Sequence, residues 1–211
     1  MIKCIVCDLD GTLIKRDDKI EDKTYKALKG YMDQGIEFMI ATGRDYNMVI
    51  DFIKEYHLKC DMILNNGTQF MNHNQSINDI YPMDNDSFHK IINILYQYDY
   101  LLAIHTDQGK YSLKNADEFW EYHMKLLSHS KQYPDEELPK KTFTTREGYL
   151  RDFHYVENPY MITDKGIRVL KIDARHHNRE LVKGIKQQLN IDHLDISSSY
   201  EENMEITTDI M

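Results

Sequence analysis

A surplus of positive charge is what this 211-residue sequence most plainly lacks: 26 Lys and Arg stand against 35 Asp and Glu, a formal charge of −9. Nucleic acids and anionic membrane surfaces select basic patches, so neither is an expected partner. Long apolar runs are missing too. No stretch approaches the roughly 18 residues a membrane span needs. The N-terminus enters an apolar strand at once, leaving no room for a signal peptide, and a cytoplasmic protein is the simplest expectation. Cysteine is scarce, with only Cys4, Cys7 and Cys60, an odd number that excludes a disulfide framework. Cys4 and Cys7 are spaced Cys-x-x-Cys. In a strand that spacing sends the two side chains to opposite faces, so they read as buried small hydrophobes and not as a metal pair. The ten histidines include no His-x-x-x-His pair on a clear helix, and His176-His177 read as exposed polar positions. Repeats and low-complexity tracts are absent.

What is present is concentrated near the N-terminus. Residues Ile2 to Cys7 form an apolar run broken only by Lys3, and Asp8-Leu9-Asp10-Gly11-Thr12-Leu13 follows directly. A buried strand here delivers two carboxylates to its C-terminal tip, where ligands bind in a parallel α/β sheet. While the chain stays extended, Asp8 and Asp10 share one side. Two such acids can hold a divalent metal, or one can attack while the other handles protons. A second apolar strand, Ile36 to Ala41, ends in Thr42-Gly43-Arg44. There Thr42 offers a hydroxyl, with free backbone N–H groups at a helix start, which serves either an anion or an ordinary N-cap. Between the two motifs Tyr25, Leu28 and Met32 recur at helical spacing, and the helix Asp22–Gln34 ends at Gly35, a C-capping glycine.

Together these stretches resemble motifs I and II of the haloacid dehalogenase (HAD) superfamily, and the long tract beyond residue 80 resembles the type C2 cap of its Cof-like phosphatases. The resemblance implies an α/β fold: a HAD-like Rossmannoid parallel-sheet core with an α+β C2 cap. It places the first part of the core at 1–81, the cap at 82–198 and a return to the core at 199–211. It further implies a Mg²⁺-dependent phosphohydrolase of small, sugar phosphate-like metabolites. Asp8 would be the nucleophile that becomes an aspartyl-phosphate, and Asp10 the general acid and base. Both would serve the metal, and Thr42 and Gly43 would hold the phosphoryl group. Arg44 can approach the substrate phosphate or pair with a surface acid. Asn65 and Asn66, at a third strand tip after Met62–Leu64, can touch substrate or merely form a turn.

The family's motif III lysine and its Gly-Asp-x-x-x-Asp motif IV have no counterpart, and no Gly-Asp pair occurs anywhere in the sequence. The expectation is a truncated chain whose first strand is an open apolar edge, covered by a homo-oligomer or a strand swap. Two rival readings stand beside the enzyme. One is an impaired HAD protein acting as a binding or interaction module, and the other is a phosphotransferase or mutase.

Beyond residue 80, helices are read over Ser87–Tyr98, Ala116–Leu127 and Asn178–Leu189, with Phe88, Ile91, Ile92 and Leu95 on one face of the first. Strands are read over Leu101–Thr106, Tyr111–Leu113, Ile167–Ala174, Leu194–Ser198 and Met204–Thr207. They imply a mostly antiparallel sheet with helices on one face. Residues 130–160 are polar, aromatic and Pro-punctuated, and yield no assignment.

Overall fold

A computed structural model describes residues 2–14, 19–129, 146–189 and 191–210. The unassigned stretch 130–145 lies outside these described residues. The chain divides into two compact units. The first contains β1 (Cys4–Asp8), α1 (Asp22–Asp33), β2 (Glu37–Ala41), α2 (Ile50–Glu55), β3 (Asp61–Leu64), β4 (Gln69–Met71) and β5 (Ile77–Ile80). The second begins at Tyr81 with α3 (Asn85–Leu95), β6 (Leu101–Thr106), β7 (Gly109–Ser112) and α4 (Ala116–His129). The short α5 (Arg146–Tyr149) belongs to the first unit, after which the second resumes. It adds β8 (Phe153–Tyr155), α6 (Tyr160–Asp164), β9 (Val169–Arg175), α7 (Arg179–Gln188), β10 (Leu194–Ser197) and β11 (Asn203–Thr208).

In the first unit the sheet order is β1-β2-β3-β4-β5, with β1, β2 and β3 parallel. Parallel neighbours need a crossover, and α1 supplies the first one. Leu28 is buried while Tyr25 and Met32 pack half-buried on the same core. The helix closes with a Schellman motif, in which Gly35 N–H reaches Met32 O and Ile36 N–H reaches Tyr31 O. Gly35 sits at φ +82°, a conformation that costs a residue with a Cβ. The first three strands match the apolar runs of the sequence, and the antiparallel hairpin β4–β5 is additional. Its turn is built by Asn72, whose side-chain oxygen accepts from the N–H groups of Asn74 and Ser76. Both strands are short, and β5 reads Ile-Asn-Asp-Ile, a pattern too polar to announce a strand.

The cysteines of β1 are less buried than their reading as small hydrophobes suggests. Cys4 is exposed and Cys7 half-buried, and only Cys60 is buried. Among the described residues β1 has one neighbour, β2. Val6, on the same side of the strand as Cys4, is accordingly 56% exposed. Of the stretch 199–211, expected to return to the core, the described residues 199–210 stay in the second unit. They supply β11, which pairs antiparallel with β9 and β10 in the second unit.

The second sheet runs β10-β11-β9-β6-β7-β8, antiparallel except for β7 with β8. One face is apolar: Leu102, Ile104, Ile172, Ala174, Met204 and Ile206 pack with Phe88, Ile91 and Leu95 of α3 and Val182 and Ile185 of α7. The alternate residues of β9 are Lys171, Asp173 and Arg175, all buried. They need partners, since a buried unpaired charge is costly. Lys171 pairs with Glu205 at 3.2 Å, and Arg175 binds Asp173 and His123 of α4. Helices therefore serve both faces of this sheet, where the sequence suggests one, because the polar face also has to be covered.

Candidate active site

The site is built from the C-terminal ends of neighbouring parallel strands. Asp8 is the last residue of β1 and lies in register with Ala41, the last residue of β2, so Thr42 is the next residue along. Thr42 is buried. Its N–H donates to Ile63 O at 2.9 Å, and its carbonyl accepts from Asn66 N–H at 3.3 Å. The loop after β2 is thus stitched to the end of β3.

After Asp8 the chain folds into a tight loop around the fully buried Leu9. Leu13 N–H donates to Asp8 O at 3.2 Å, Ile14 N–H to Leu9 O at 3.0 Å and Gly11 N–H to Ile14 O at 3.0 Å. Gly11 makes the reversal at φ +76°. Asp10 is consequently past the strand, in a turn, and not one pleat further along it. The Thr12 hydroxyl donates to Asp8 Oδ2 at 3.1 Å, a contact the sequence does not reveal. The only signal for it is the four-residue separation across a Gly turn.

Arg44 and Asp10 form a two-pronged ion pair. Nη2 donates to Oδ1 at 2.7 Å and Nε to Oδ2 at 3.0 Å. The arginine side chain is 6% exposed and the aspartate 41%. Of the two roles open to Arg44, substrate contact or pairing with an acid, the structure shows the pairing, and the acid belongs to the site itself. Asp45 follows and caps the 3₁₀ turn Tyr46–Met48 by accepting from Met48 N–H at 3.0 Å. Helix α5 packs against this turn, a contribution from distant sequence that no local pattern signals.

Gly43 is half-buried between Thr42 and Arg44. Asn65 and Asn66 both sit at positive φ, +52° and +59°, where Asn is among the more tolerant residues. Asn65 is buried: its N–H donates to Arg44 O at 3.0 Å and its amide to Gln69 Oε1 at 3.1 Å. Asn66 is exposed. The structure thus brings Asp8, Thr42 and the Asp10–Arg44 pair to adjoining strand ends, and ties Asn65 to the same loop through its backbone.

Among the described residues no group of three or more His, Cys, Asp or Glu side chains could hold a metal ion. What the loop offers is hard oxygen donors on an exposed edge, the Asp8 carboxylate and the Asp10 residue. That chemistry suits Mg²⁺, which keeps several of its waters. No helix among the described residues is long and apolar enough to cross a membrane.

A sequence profile of haloacid dehalogenase-like hydrolases matches residues 5–210. The chain belongs to that family. Among curated relatives, a Buchnera aphidicola (subsp. Baizongia pistaciae) protein named as a proposed phosphatase is 29% identical over 120 residues, 54% of this chain and 43% of the relative. The HMP-PP phosphatase of Klebsiella pneumoniae is 32% identical over 84 residues, 40% of this chain and 30% of the relative. Each match takes in less than half of the relative's own length. Among solved structures, a haloacid dehalogenase-like hydrolase from B. subtilis superposes with a TM-score of 0.78 at 20% identity, covering 99% of this chain and 74% of that one. That likeness establishes the HAD fold.

Proposed function

We propose that this HAD-family chain carries the phosphoryl-transfer site of a Mg²⁺-dependent cytoplasmic phosphohydrolase of small, sugar phosphate-like metabolites. The observation that supports it most is the register of Asp8 with Ala41, which sets a carboxylate beside the Thr42 loop. In this reading an Asp8 oxygen attacks phosphorus, and the bond from phosphorus to the leaving oxygen breaks. Asp10 gives the leaving alcohol its proton, then takes one from the water that cleaves the aspartyl-phosphate. The Thr42 hydroxyl and Gly43 hold the phosphoryl oxygens, in keeping with a reaction dominated by positioning and electrostatics. Asp8 and the Asp10 main-chain carbonyl would hold the ion. When bound, Mg²⁺ neutralises charge gathering on the phosphoryl oxygens. Helix N-termini and the ion let an acidic protein accept an anionic substrate.

One observation favours a second reading, a module that binds phosphorylated ligands without turnover: the Asp10 carboxylate is engaged by Arg44 on both oxygens. Turnover and phosphate binding together separate the two. Hydrolysis of p-nitrophenyl phosphate with MgCl₂ is expected from the native protein, and Asp8→Asn should lower it at least about 1000-fold, because an amide is no nucleophile. Full turnover by Asp8→Asn would rule out the covalent route, and phosphate binding without turnover by the native protein would favour the module.

A further inference from the structure

A general acid must carry a proton, yet the Asp10 carboxylate accepts from Arg44 on both of its oxygens. A guanidinium only donates, so it engages one lone pair on each Asp10 oxygen and holds the carboxyl plane against Arg44. While this pair is closed, both Asp10 oxygens are committed to Arg44. The asymmetry of the pair shows which partner must stay. The arginine side chain is 6% exposed and the aspartate 41%.

The Arg44 backbone is fixed at both ends. Its N–H donates to Thr42 Oγ1 at 3.3 Å, and its carbonyl accepts from Asn65 N–H at 3.0 Å. Its Nη1 also donates to Met48 O at 3.4 Å. A buried guanidinium demands an anion with two acceptor oxygens at fork spacing. A carboxylate satisfies that demand, and so does a phosphoryl group, which the Thr42 hydroxyl beside it is placed to hold.

We propose that Arg44 exchanges its anion: a phosphoryl group seated on the Thr42 loop takes the guanidinium over from Asp10 and frees the Asp10 carboxyl for proton transfer. The inference rests on the phosphohydrolase reading above and adds to it a positioning role for Arg44. Swapping one oxyanion for another keeps an anion on the guanidinium throughout. It also ties release of the acid to the presence of the group on which that acid acts.

The test is a double-mutant cycle read by calorimetric binding of inorganic phosphate in MgCl₂. It uses the native protein, Asp10→Asn, Arg44→Gln and the double variant, each checked for fold by circular dichroism. If Asp10 and phosphate compete for Arg44, Asp10→Asn tightens phosphate binding about five- to tenfold when Arg44 is present. In the Arg44→Gln background the same substitution gives less than about a twofold gain. An equal gain in both backgrounds overturns the exchange while leaving the phosphate site intact. Absence of phosphate binding by the native protein overturns the phosphohydrolase reading and the exchange with it. Should Arg44→Gln fail to fold, Arg44→Lys takes its place. Its ammonium cannot bridge both oxygens, so the coupling must fall below that of the native pair.

Discussion

The Thr12 hydroxyl donates to Asp8 Oδ2 at 3.1 Å, across a loop of only three intervening residues. The bond engages one oxygen of an exposed carboxylate and leaves the other for the attack proposed above. An aspartate that must attack in line gains from losing a rotational freedom in this way.

Removing that hydroxyl should therefore slow turnover more than it weakens binding. Thr12→Val, which keeps the shape, should lower kcat for p-nitrophenyl phosphate roughly three- to tenfold, the worth of one hydrogen bond of about 1 kcal/mol. Thr12→Ser should restore most of it. Steady-state kinetics checks both, and an unchanged kcat in Thr12→Val would show that the bond does not orient the nucleophile.

His123 predicts an acid sensitivity of the second unit. Burial, then the neighbouring Arg175 and Lys110 charges, hold its pKa well below the usual imidazole range. Since Arg175 is a donor only, Nδ1 of His123 must accept, which requires the neutral ring. A folded-state pKa below the unfolded value contributes stability that is complete above about pH 6.5 and declines as the pH falls from there toward the folded value. His176, depressed by burial and by His177, adds in the same direction. Urea midpoints should drop between about pH 7 and pH 5. The drop should shrink in His123→Gln, whose carbonyl oxygen accepts from Arg175 without titrating. An identical pH slope in the two proteins would dismiss His123 as its source.

At the start of α3, Asp84 accepts from Ser87 N–H at 2.9 Å and lies 3.2 Å from His193 Nε2. Burial works against its charge, but the hydrogen bonds from Ser87 and the contact with His193 outweigh it, and the carboxyl sits below its usual range. Its stabilisation is present above about pH 4 and is lost as pH falls through the folded value. Replacing this N-cap with alanine should cost about 1 kcal/mol at pH 7 and less at about pH 3. Chemical denaturation at the two pH values measures the difference.

The three cysteines should separate by reactivity. Cys4 is exposed, while Cys60 is 2% exposed and its pKa is pushed up to about 12 by burial and then by Asp61. Only the thiolate reacts. An aromatic disulfide reagent at pH 8 should titrate Cys4 promptly and reach Cys60 only as the first unit unfolds, which makes Cys60 labelling a clock for that event. Prompt labelling of all three would contradict the described packing.

Much of this is legible from residue patterns. The two strands ending at Asp8 and before Thr42, helix α1 with its Gly35 stop, and α3 with Phe88, Ile91, Ile92 and Leu95 all follow from apolar spacing and one glycine. Pairing is not legible. Alternation in Met204–Thr207 marks a strand but says nothing about which sheet accepts it, and this strand, expected in the core, joins the other sheet. Ile77–Ile80 becomes a strand through the Asn72 turn and not through hydrophobicity. The sequence likewise shows that Arg44 is charged without showing whose carboxylate it meets, since that contact spans 34 positions.

The position of α5 has a consequence for biosynthesis. Everything from β1 to β5 leaves the ribosome as one continuous piece, but the helix that packs on the Tyr46–Met48 turn is encoded 65 residues later, beyond residues 81–145. At about 5–20 residues per second, roughly 3–13 s pass between the two. The strand tips carrying Asp8 and Thr42 can take shape during that interval, while the shoulder next to Arg44 waits for α5. The nascent first unit is therefore a thing with a known gap, and the gap lies at the Tyr46–Met48 turn, just beyond Arg44.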